Sequence, residues 1–375
     1  MVIGMEEKKL SKGWKKSLRD EIDQIQPYIP GKPISEVKAE LGLKEVIKLA
    51  SNENPLPVSQ KVKKALKEEM DSINLYPDGA SRKFKKVLCE HLNLDNEMVA
   101  VGNGSDGLIK VIGETFLNNN SQVIISYPSF VEYKFIANLM GSDIIRVWTK
   151  DYQQNLAGIQ NAVSSRTNMI FLTSPDNPTG SIIKRNELEK FLKKIPDDVL
   201  VILDQAYYEY VQDEDYVDGI EYIKKGYPLI VLRTFSKAYG LAGLRLGYAV
   251  ADPEIIGSLM KARDPFNVNR LAQAAGRAVL NDKKFLEQTI ENNEQGKKFL
   301  YNEFEKMGLD YVPTEANFIL VNVKTNSGEL FENMLKKGVI IRPGKPLGYP
   351  GHIRVTIGLP EENKKFIKVL KEELK

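Results

Sequence analysis

The sequence predicts an α/β protein, with a mainly parallel sheet in a large helix-covered domain and a smaller α+β domain after it. A length of 375 residues suits two domains better than one small core. From about Val46 to about Ala262, short β-rich runs alternate with amphipathic stretches, a pattern typical of parallel sheets covered on both faces. Beyond this part, a long helical stretch is followed by three more strand-like runs.

The individual elements follow from their local patterns. Arg82–Leu92 and Ser105–Leu117 are amphipathic and predict helices, and residues 270–307 predict helix because they lack Pro and are rich in Glu and Lys. Strands are predicted in order at VIKLA, MVAVG, QVIIS, DIIRVW, NMIFLTS, VLVILD, LIVLRT, RLGYAV, NFILVNV, GVIIR and HIRVTIG.

The region before the alternation, including the turn PYIPGKP, is expected to pack on the C-terminal part or on a neighbouring subunit. We therefore predict three regions. Residues 1–45 form an arm and part of the small domain, residues 46–265 form the large domain, and residues 266–375 form the rest of the small domain.

Composition and charge narrow the possible partners. Lys and Arg number 53 against 50 Asp and Glu, and they are scattered along the chain, so we expect no nucleic-acid partner. No apolar run approaches the roughly 20 residues needed to span a bilayer, and the charged start has no signal-peptide core, so we expect no membrane association. The single Cys89, with only His91 and His352 available, predicts no disulfide, no metal site and a cytoplasmic location.

The stretch VAVGNGSDGL contains a G-x-G-x-x-G spacing at Gly102, Gly104 and Gly107, the fingerprint of dinucleotide-binding enzymes. A dinucleotide site also needs an acidic residue at the end of the second strand, but QVIIS ends in Ser-Tyr-Pro. The strand-like VIKLA run also precedes the motif, whereas the motif should open the first βαβ unit. The context therefore favours a simpler anion site, in which Gly104, Ser105 and Asp106 present donors to a phosphate.

Chemically useful side chains follow three apolar strands in succession. LTSPDNPTG carries Asn177, VLVILDQAYYEY carries Asp204 and Tyr207, and LRTFSKAYGLAGLRLGY carries Thr234, Ser236, Lys237 and Arg245. Two hydroxyls and an Arg around one Lys suit a phosphate dianion, and a second cation lowers the pKa of a Lys toward nucleophilic use. An amine, a carboxylate, an amide and a phosphate site together are what pyridoxal phosphate requires.

This order of residues resembles the fold-type I pyridoxal-phosphate aminotransferases over nearly the whole chain. In finer detail it resembles the histidinol-phosphate aminotransferase family, whose motif order includes PYIPGKP, KLASNENP, YPDG, SPDNPTG, LRTFSKAYGLAGLRLGY, PFNVN, GVIIRPG and IRVTIG. The resemblance implies a homodimer that transfers the amino group of histidinol phosphate to 2-oxoglutarate.

The resemblance also implies a role for each matching residue. Lys237 matches the Schiff-base lysine and proton shuttle, Asp204 the partner of the ring nitrogen, and Asn177 and Tyr207 the donors to the ring phenolate. The phosphate site of the family is matched by Ser105, Asp106, Thr234, Ser236 and Arg245. Phe130 matches the residue that stacks on the ring, and Tyr76 matches a tyrosine that reaches the partner subunit's phosphate site. Arg354 matches the arginine that binds the substrate carboxylate, Arg342 and Tyr28 match contacts to the substrate phosphate, and Asn54 is expected to bind substrate.

Four positions depart from the family pattern. Pro57 stands where glycine is usual, and Gly107 stands where an acidic residue is usual. Asp176 stands where asparagine is common, and Gln205 stands where glutamate is usual. None of them removes a group that does chemistry, so these departures bear on which substrate is preferred more than on which reaction is catalysed. The alternatives are an aromatic aminotransferase, a decarboxylase of a phosphorylated amino acid, a dinucleotide oxidoreductase and a non-enzymatic sensor of the cofactor.

Overall fold

A computed structural model describes residues 13–25, 27 and 32–375. Within these residues the strands are β1 (Ile47–Lys48), β2 (Val99–Gly102), β3 (Gln122–Tyr127), β4 (Asp143–Trp148), β5 (Thr167–Thr173), β6 (Leu200–Asp204), β7 (Leu229–Thr234), β8 (Gly247–Val250), β9 (Tyr311–Val312), β10 (Phe318–Asn322), β11 (Val339–Ile340), β12 (Arg342–Pro343) and β13 (His352–Thr356).

The α-helices of the same residues are α1 (Ile34–Leu41), α2 (Gln60–Glu69), α3 (Arg82–Leu92), α4 (Gly104–Phe116), α5 (Val131–Leu139), α6 (Leu156–Ala162), α7 (Arg185–Leu192), α8 (Ile220–Ile223), α9 (Pro253–Ala262), α10 (Arg270–Leu280), α11 (Lys283–Lys306), α12 (Ser327–Lys336) and α13 (Pro360–Glu373). None of these helices is both long enough and apolar enough to cross a membrane.

The large sheet has the strand order β2-β8-β7-β6-β5-β3-β4. Neighbouring strands from β7 to β4 are parallel, whereas β8 is antiparallel to both of its neighbours. One face of the sheet is covered by α4, α5 and α9, and the other by helices that include α3, α7 and α10. The predicted α/β class is confirmed, and the first four residues of β6 and of β7 are all apolar because both faces of these strands are buried.

A second, antiparallel sheet in the order β12-β13-β10-β9 packs on α11, α12 and α13 around its own apolar core. The predicted helix over 270–307 is interrupted at Asn281-Asp282, where α10 ends and α11 begins. The Asp282 carboxylate accepts a hydrogen bond from Ser59 at the start of α2, at 2.5 Å.

The VIKLA run lies outside the large sheet, because β1 pairs in parallel with β11 at Ile47↔Val339. A two-residue strand carries no pattern that reveals its partner, so the sequence argument that placed it before the glycine motif in the large sheet was wrong. The dinucleotide interpretation is still disfavoured, because β2 lies at the sheet edge beside an antiparallel strand rather than opening a parallel βαβ unit.

The described N-terminal residues lie in two places. Val37 of α1 packs against Leu335 and Ile340, in the C-terminal part, as expected. The 3₁₀ helix Asp20–Gln24 contacts α5 of the large sheet instead, where the Arg19 guanidinium donates to the Leu139 carbonyl at 2.5 Å.

Candidate active site

A cavity of about 580 Å³ lies at the carboxyl edge of the large sheet, where β13 approaches it. The adjacent parallel strands β5, β6 and β7 end together at this edge, so the residues that follow them converge. Of the residues predicted from sequence, the cavity is lined by Ser105, Asp106, Phe130, Asn177, Asp204, Tyr207, Thr234, Ser236, Lys237, Arg245, Arg342 and Arg354.

Asp204, the last residue of β6, is 3% exposed. Its Oδ2 accepts a hydrogen bond from the Tyr133 hydroxyl at 2.8 Å, and its Oδ1 accepts one from the Ala206 backbone N–H at 3.0 Å. Burial raises the pKa of Asp204 to about 6, and the Tyr133 hydrogen bond opposes that rise. At neutral pH the cavity therefore contains a carboxylate that is fixed in place and suited to a cationic N–H group.

Lys237 follows β7 and places its ammonium group in the same cavity, where Nζ donates to the Ser51 carbonyl at 3.2 Å. Burial, together with the positive charge of Arg354, lowers the pKa of Lys237 to about 8. A substantial fraction of this amine is therefore neutral near physiological pH and available for covalent attack.

Two further polar side chains each have a donor left for a ligand. The Arg354 guanidinium donates to Oδ1 of Asn177 at 2.5 Å, so the Asn177 NH₂ group remains available. The Asn52 side chain donates to the Tyr207 hydroxyl at 2.9 Å, and among the described residues no group accepts the proton of that hydroxyl. Burial raises the pKa of Tyr207 to about 12, so it stays protonated and can donate.

The first turn of α4 is suited to binding an anion. No side chain of the described residues caps this helix, so its first backbone N–H groups remain free beside Ser105 and Asp106. Arg245 lies against the same turn, pairs with the Asp106 carboxylate at 2.7 Å and is 3.5 Å from the Ser236 hydroxyl. The Thr234 hydroxyl makes its hydrogen bonds within its own loop.

Gly104 allows the close approach of Arg245. Its φ of +75° is in the left-handed region, and a Cβ there would lie 2.7 Å from the Arg245 guanidinium.

Arg342 and Arg354 enter the cavity side by side. They are direct partners across the antiparallel strands β12 and β13, so their side chains share one face. Like charges in this position repel, and an anionic ligand relieves that repulsion. Arg354 also donates to the Ala50 carbonyl at 2.8 Å and lies over the Phe318 ring at 5.2 Å.

Three predicted residues lie elsewhere. Asn54 does not line the cavity, because its amide group is used by the Ala238 carbonyl, the Thr289 hydroxyl and the Leu56 N–H. Tyr76 is 79% exposed and stacks on Phe266 at 4.7 Å, outside the cavity of its own chain. Tyr28 lies outside the described residues.

Tyr133 and Asn52 were not among the residues predicted from the sequence. Tyr133 lies on α5, three residues after the N-cap residue Phe130, and the two rings meet edge to face with their centroids 5.6 Å apart. Asn52 contacts Tyr207 across 155 residues, and no local pattern reveals such a contact.

The residues of the cavity fit pyridoxal phosphate. The Asp204 carboxylate suits a protonated ring nitrogen. The Tyr207 hydroxyl and the Asn177 amide, which can each donate a hydrogen bond into the cavity, suit a phenolate oxygen. The uncapped turn of α4 with Arg245 suits a phosphate, and Lys237 supplies the amine.

Comparison with known proteins gives consistent matches. Residues 44–370 match the family model for aminotransferase class I and II. A protein named histidinol-phosphate aminotransferase from Moorella thermoacetica is 48% identical, and the match covers 95% of this chain and 92% of that protein. A protein of the same name from Caldicellulosiruptor saccharolyticus is 46% identical, with 95% of this chain and 99% of that protein covered. The crystal structure of histidinol-phosphate aminotransferase from Sinorhizobium meliloti with pyridoxal-5'-phosphate is 26% identical, with a TM-score of 0.88, covering 97% of this chain and 99% of that chain.

Proposed function

Because this chain belongs to the class I and II aminotransferases, we propose that it transfers the amino group of histidinol phosphate to 2-oxoglutarate in histidine biosynthesis. Family membership confirms the predicted fold class, the pyridoxal phosphate cofactor and the transaminase reaction. The particular substrates and the role of each residue are our proposals, as is a cytoplasmic location, which the lone Cys89 favours.

The substrate proposal rests on the paired arginines Arg342 and Arg354. Histidinol phosphate carries a phosphate, and 2-oxoglutarate carries two carboxylates, so the two half-reactions present differently placed anions to one cavity. Two guanidinium groups side by side can bind either set in bidentate fashion, which a Lys cannot do. In this proposal Arg354 binds the carboxylate of glutamate or 2-oxoglutarate, and Arg342 binds the phosphate of histidinol phosphate.

The remaining residues divide the chemical work. Bound pyridoxal phosphate supplies a conjugated ring that accepts the electron pair released when the substrate Cα–H bond breaks. Lys237 would hold the cofactor covalently, and its amine would serve as the base that takes the proton from the substrate Cα. Asp204 keeps the ring nitrogen protonated, while Asn177 and Tyr207 donate to the phenolate oxygen. The first turn of α4 and Arg245 hold the phosphate, and Phe130 packs on the ring.

A homodimer is part of the proposal. Tyr76 and Phe266 are exposed and stack on each other, and three apolar side chains shortly before Tyr76 in the chain are also exposed: Met70, Ile73 and Leu75. Burying these side chains against a second copy is favourable, and Tyr76 would then reach the partner's phosphate site.

The test compares kcat/KM for histidinol phosphate, phenylalanine, tyrosine and aspartate at fixed 2-oxoglutarate. We expect histidinol phosphate to be preferred. Arg342→Gln is expected to lower kcat/KM for histidinol phosphate by roughly ten- to a hundredfold, because a charged hydrogen bond contributes about 1.5–3 kcal/mol. It should affect phenylalanine much less, since phenylalanine carries no phosphate.

Arg146→Gln is the matched control, because Arg146 is an exposed arginine outside the cavity. Preference for an aromatic amino acid would replace the proposal with an aromatic aminotransferase.

A further inference from the structure

Asn52 lies at the centre of a buried hydrogen-bond network that joins β13 to Tyr207. It is 1% exposed and has a φ of +55°, a left-handed conformation that Asn tolerates better than most residues. Its backbone N–H donates to the Thr356 hydroxyl at 2.9 Å, and its carbonyl accepts from the Asn317 side chain at 3.1 Å. These contacts fix the position of its amide group.

The network also determines which way the Asn52 amide points. The Thr356 hydroxyl already accepts from the Asn52 backbone, so its own proton goes to Asn52 Oδ1, at 3.1 Å. The opposite orientation would leave that proton without an acceptor among the described residues. The Asn52 NH₂ group therefore faces Tyr207 and donates to its hydroxyl oxygen at 2.9 Å.

We propose that Asn52 is a positioning residue, which makes the Tyr207 hydroxyl a donor to the cofactor by occupying that hydroxyl's oxygen as a hydrogen-bond acceptor. With the Asn52 amide donating to it, the Tyr207 hydroxyl directs its own proton into the cavity. Thr356 supports this direction from β13, the strand that also carries Arg354. The inference rests on the proposed role of Tyr207 toward the phenolate.

The experiment follows the absorbance of the resting, cofactor-loaded enzyme as a function of pH. Donation to the phenolate lowers the pH at which the covalent cofactor linkage loses its proton. Asn52→Asp replaces the donor with an isosteric acceptor that draws the Tyr207 proton toward itself. The midpoint of the titration should therefore move to higher pH by about one pH unit. Asn52→Gly permits the same positive φ without the amide, and should move the midpoint in the same direction by less.

Thr356→Val tests the network with less risk to folding, because it removes only the hydroxyl. It should also shift the midpoint to higher pH. Thr289→Val is its matched control: Thr289 is likewise buried and bonded to an Asn of the same segment, Asn54, but its hydroxyl bonds neither Tyr207 nor Asn52. Its midpoint should match the wild type.

Tyr207→Phe distinguishes a failure of the Asn52 proposal from a failure of the proposed role of Tyr207. If Tyr207→Phe shifts the midpoint and the Asn52 and Thr356 variants do not, the role of Asn52 is refuted while the proposed function stands. If Tyr207→Phe causes no shift, the phenolate role of Tyr207 is wrong and the inference about Asn52 falls with it. In a Tyr207→Phe background, Asn52→Gly should add no further shift, and an added shift would mean that Asn52 acts by another route.

Discussion

Lys237 and Asp204 are ionisable groups in one cavity, and burial moves their pKa values in opposite directions. Burial disfavours the charged form of each, so the pKa of Lys237 falls to about 8 and that of Asp204 rises to about 6. Near neutral pH the cavity therefore holds a carboxylate and an amine that loses its proton easily. Both states are those that the proposed reaction requires.

The rate at which cofactor-free enzyme captures pyridoxal phosphate should follow the neutral form of Lys237. Below about pH 8 we expect the rate to rise about tenfold per pH unit, and above that pH to level off. Arg354→Gln removes a positive charge that lowers the pKa of Lys237, so its plateau should begin at higher pH, whereas Arg146→Gln should leave the profile unchanged. Rapid mixing with borohydride quenching gives the rates, and a rate independent of pH from 6 to 9 would contradict the assignment.

Asp176, one of the departures from the family pattern, is fully buried. Its Oδ2 accepts from Thr179, its Oδ1 has no partner among the described residues, and burial raises its pKa to about 7. Between about pH 4 and pH 7 the folded protein keeps a proton at Asp176 that the unfolded chain has released, so stability falls as pH rises through this range.

Asp176→Asn should remove that loss, because a neutral amide costs less to bury than a carboxylate. We expect the variant to gain about 1–3 kcal/mol relative to wild type at pH 8 and much less at pH 4. Tm measured across this range, at constant cofactor loading, tests it. An equal effect at both ends of the range would show that the charge of Asp176 is not responsible.

At the scale of elements, the start of α4 is held against β8. A Cβ on Gly247 would lie 2.7 Å from the Gly104 carbonyl carbon and from the Ser105 nitrogen, both backbone atoms that cannot rotate away. The position of the proposed anion site therefore depends on a glycine in a neighbouring strand.

Gly247→Ala should displace the first turn of α4 and weaken cofactor binding by roughly tenfold or more, with about 1–3 kcal/mol of lost stability. Gly257→Ala in α9 is the matched control, because a Cβ there meets nothing within 4 Å. Equilibrium titration of the cofactor-free proteins measures the effect, and equal affinities for the two variants would refute this account of the α4 turn.

The sequence was sufficient to predict the part of the site that the large sheet builds. Asn177, Asp204 and Lys237 each come at or after the end of an apolar strand. Because the consecutive strands β5, β6 and β7 are neighbours in the sheet, these side chains lie close together at its edge. Contacts that cross the molecule could not be predicted in this way. Asn52 and Thr356 meet across 304 residues, and Arg342 faces Arg354 only because β12 pairs with β13.

At the scale of the whole molecule, the cavity draws on two separate sheets. The large sheet supplies the proposed cofactor residues, and β12 and β13 of the antiparallel sheet supply both arginines. A third contribution, from Tyr76 of a second copy, is proposed from its exposed position. The predicted division at residues 45 and 265 stays a prediction.

Sharing of sites between subunits can be tested by complementation. Lys237→Ala and Tyr76→Ala chains should each be inactive alone. In a heterodimer, one of the two sites combines an intact Lys237 with the partner's intact Tyr76. Random mixing should therefore restore roughly a quarter of wild-type sites. If subunit exchange is verified by native mass spectrometry and no activity returns, each site is complete within one chain.

Borohydride reduction of the cofactor-loaded enzyme, followed by peptide mass spectrometry, tests the central claim that this cavity is the cofactor site. Reduction makes the covalent linkage permanent, so the mass of the reduced cofactor marks the lysine that held it. The account predicts that the label appears on Lys237, and that Lys237→Ala carries no label although it retains the fold. Label on a different lysine of the wild-type enzyme would contradict the account.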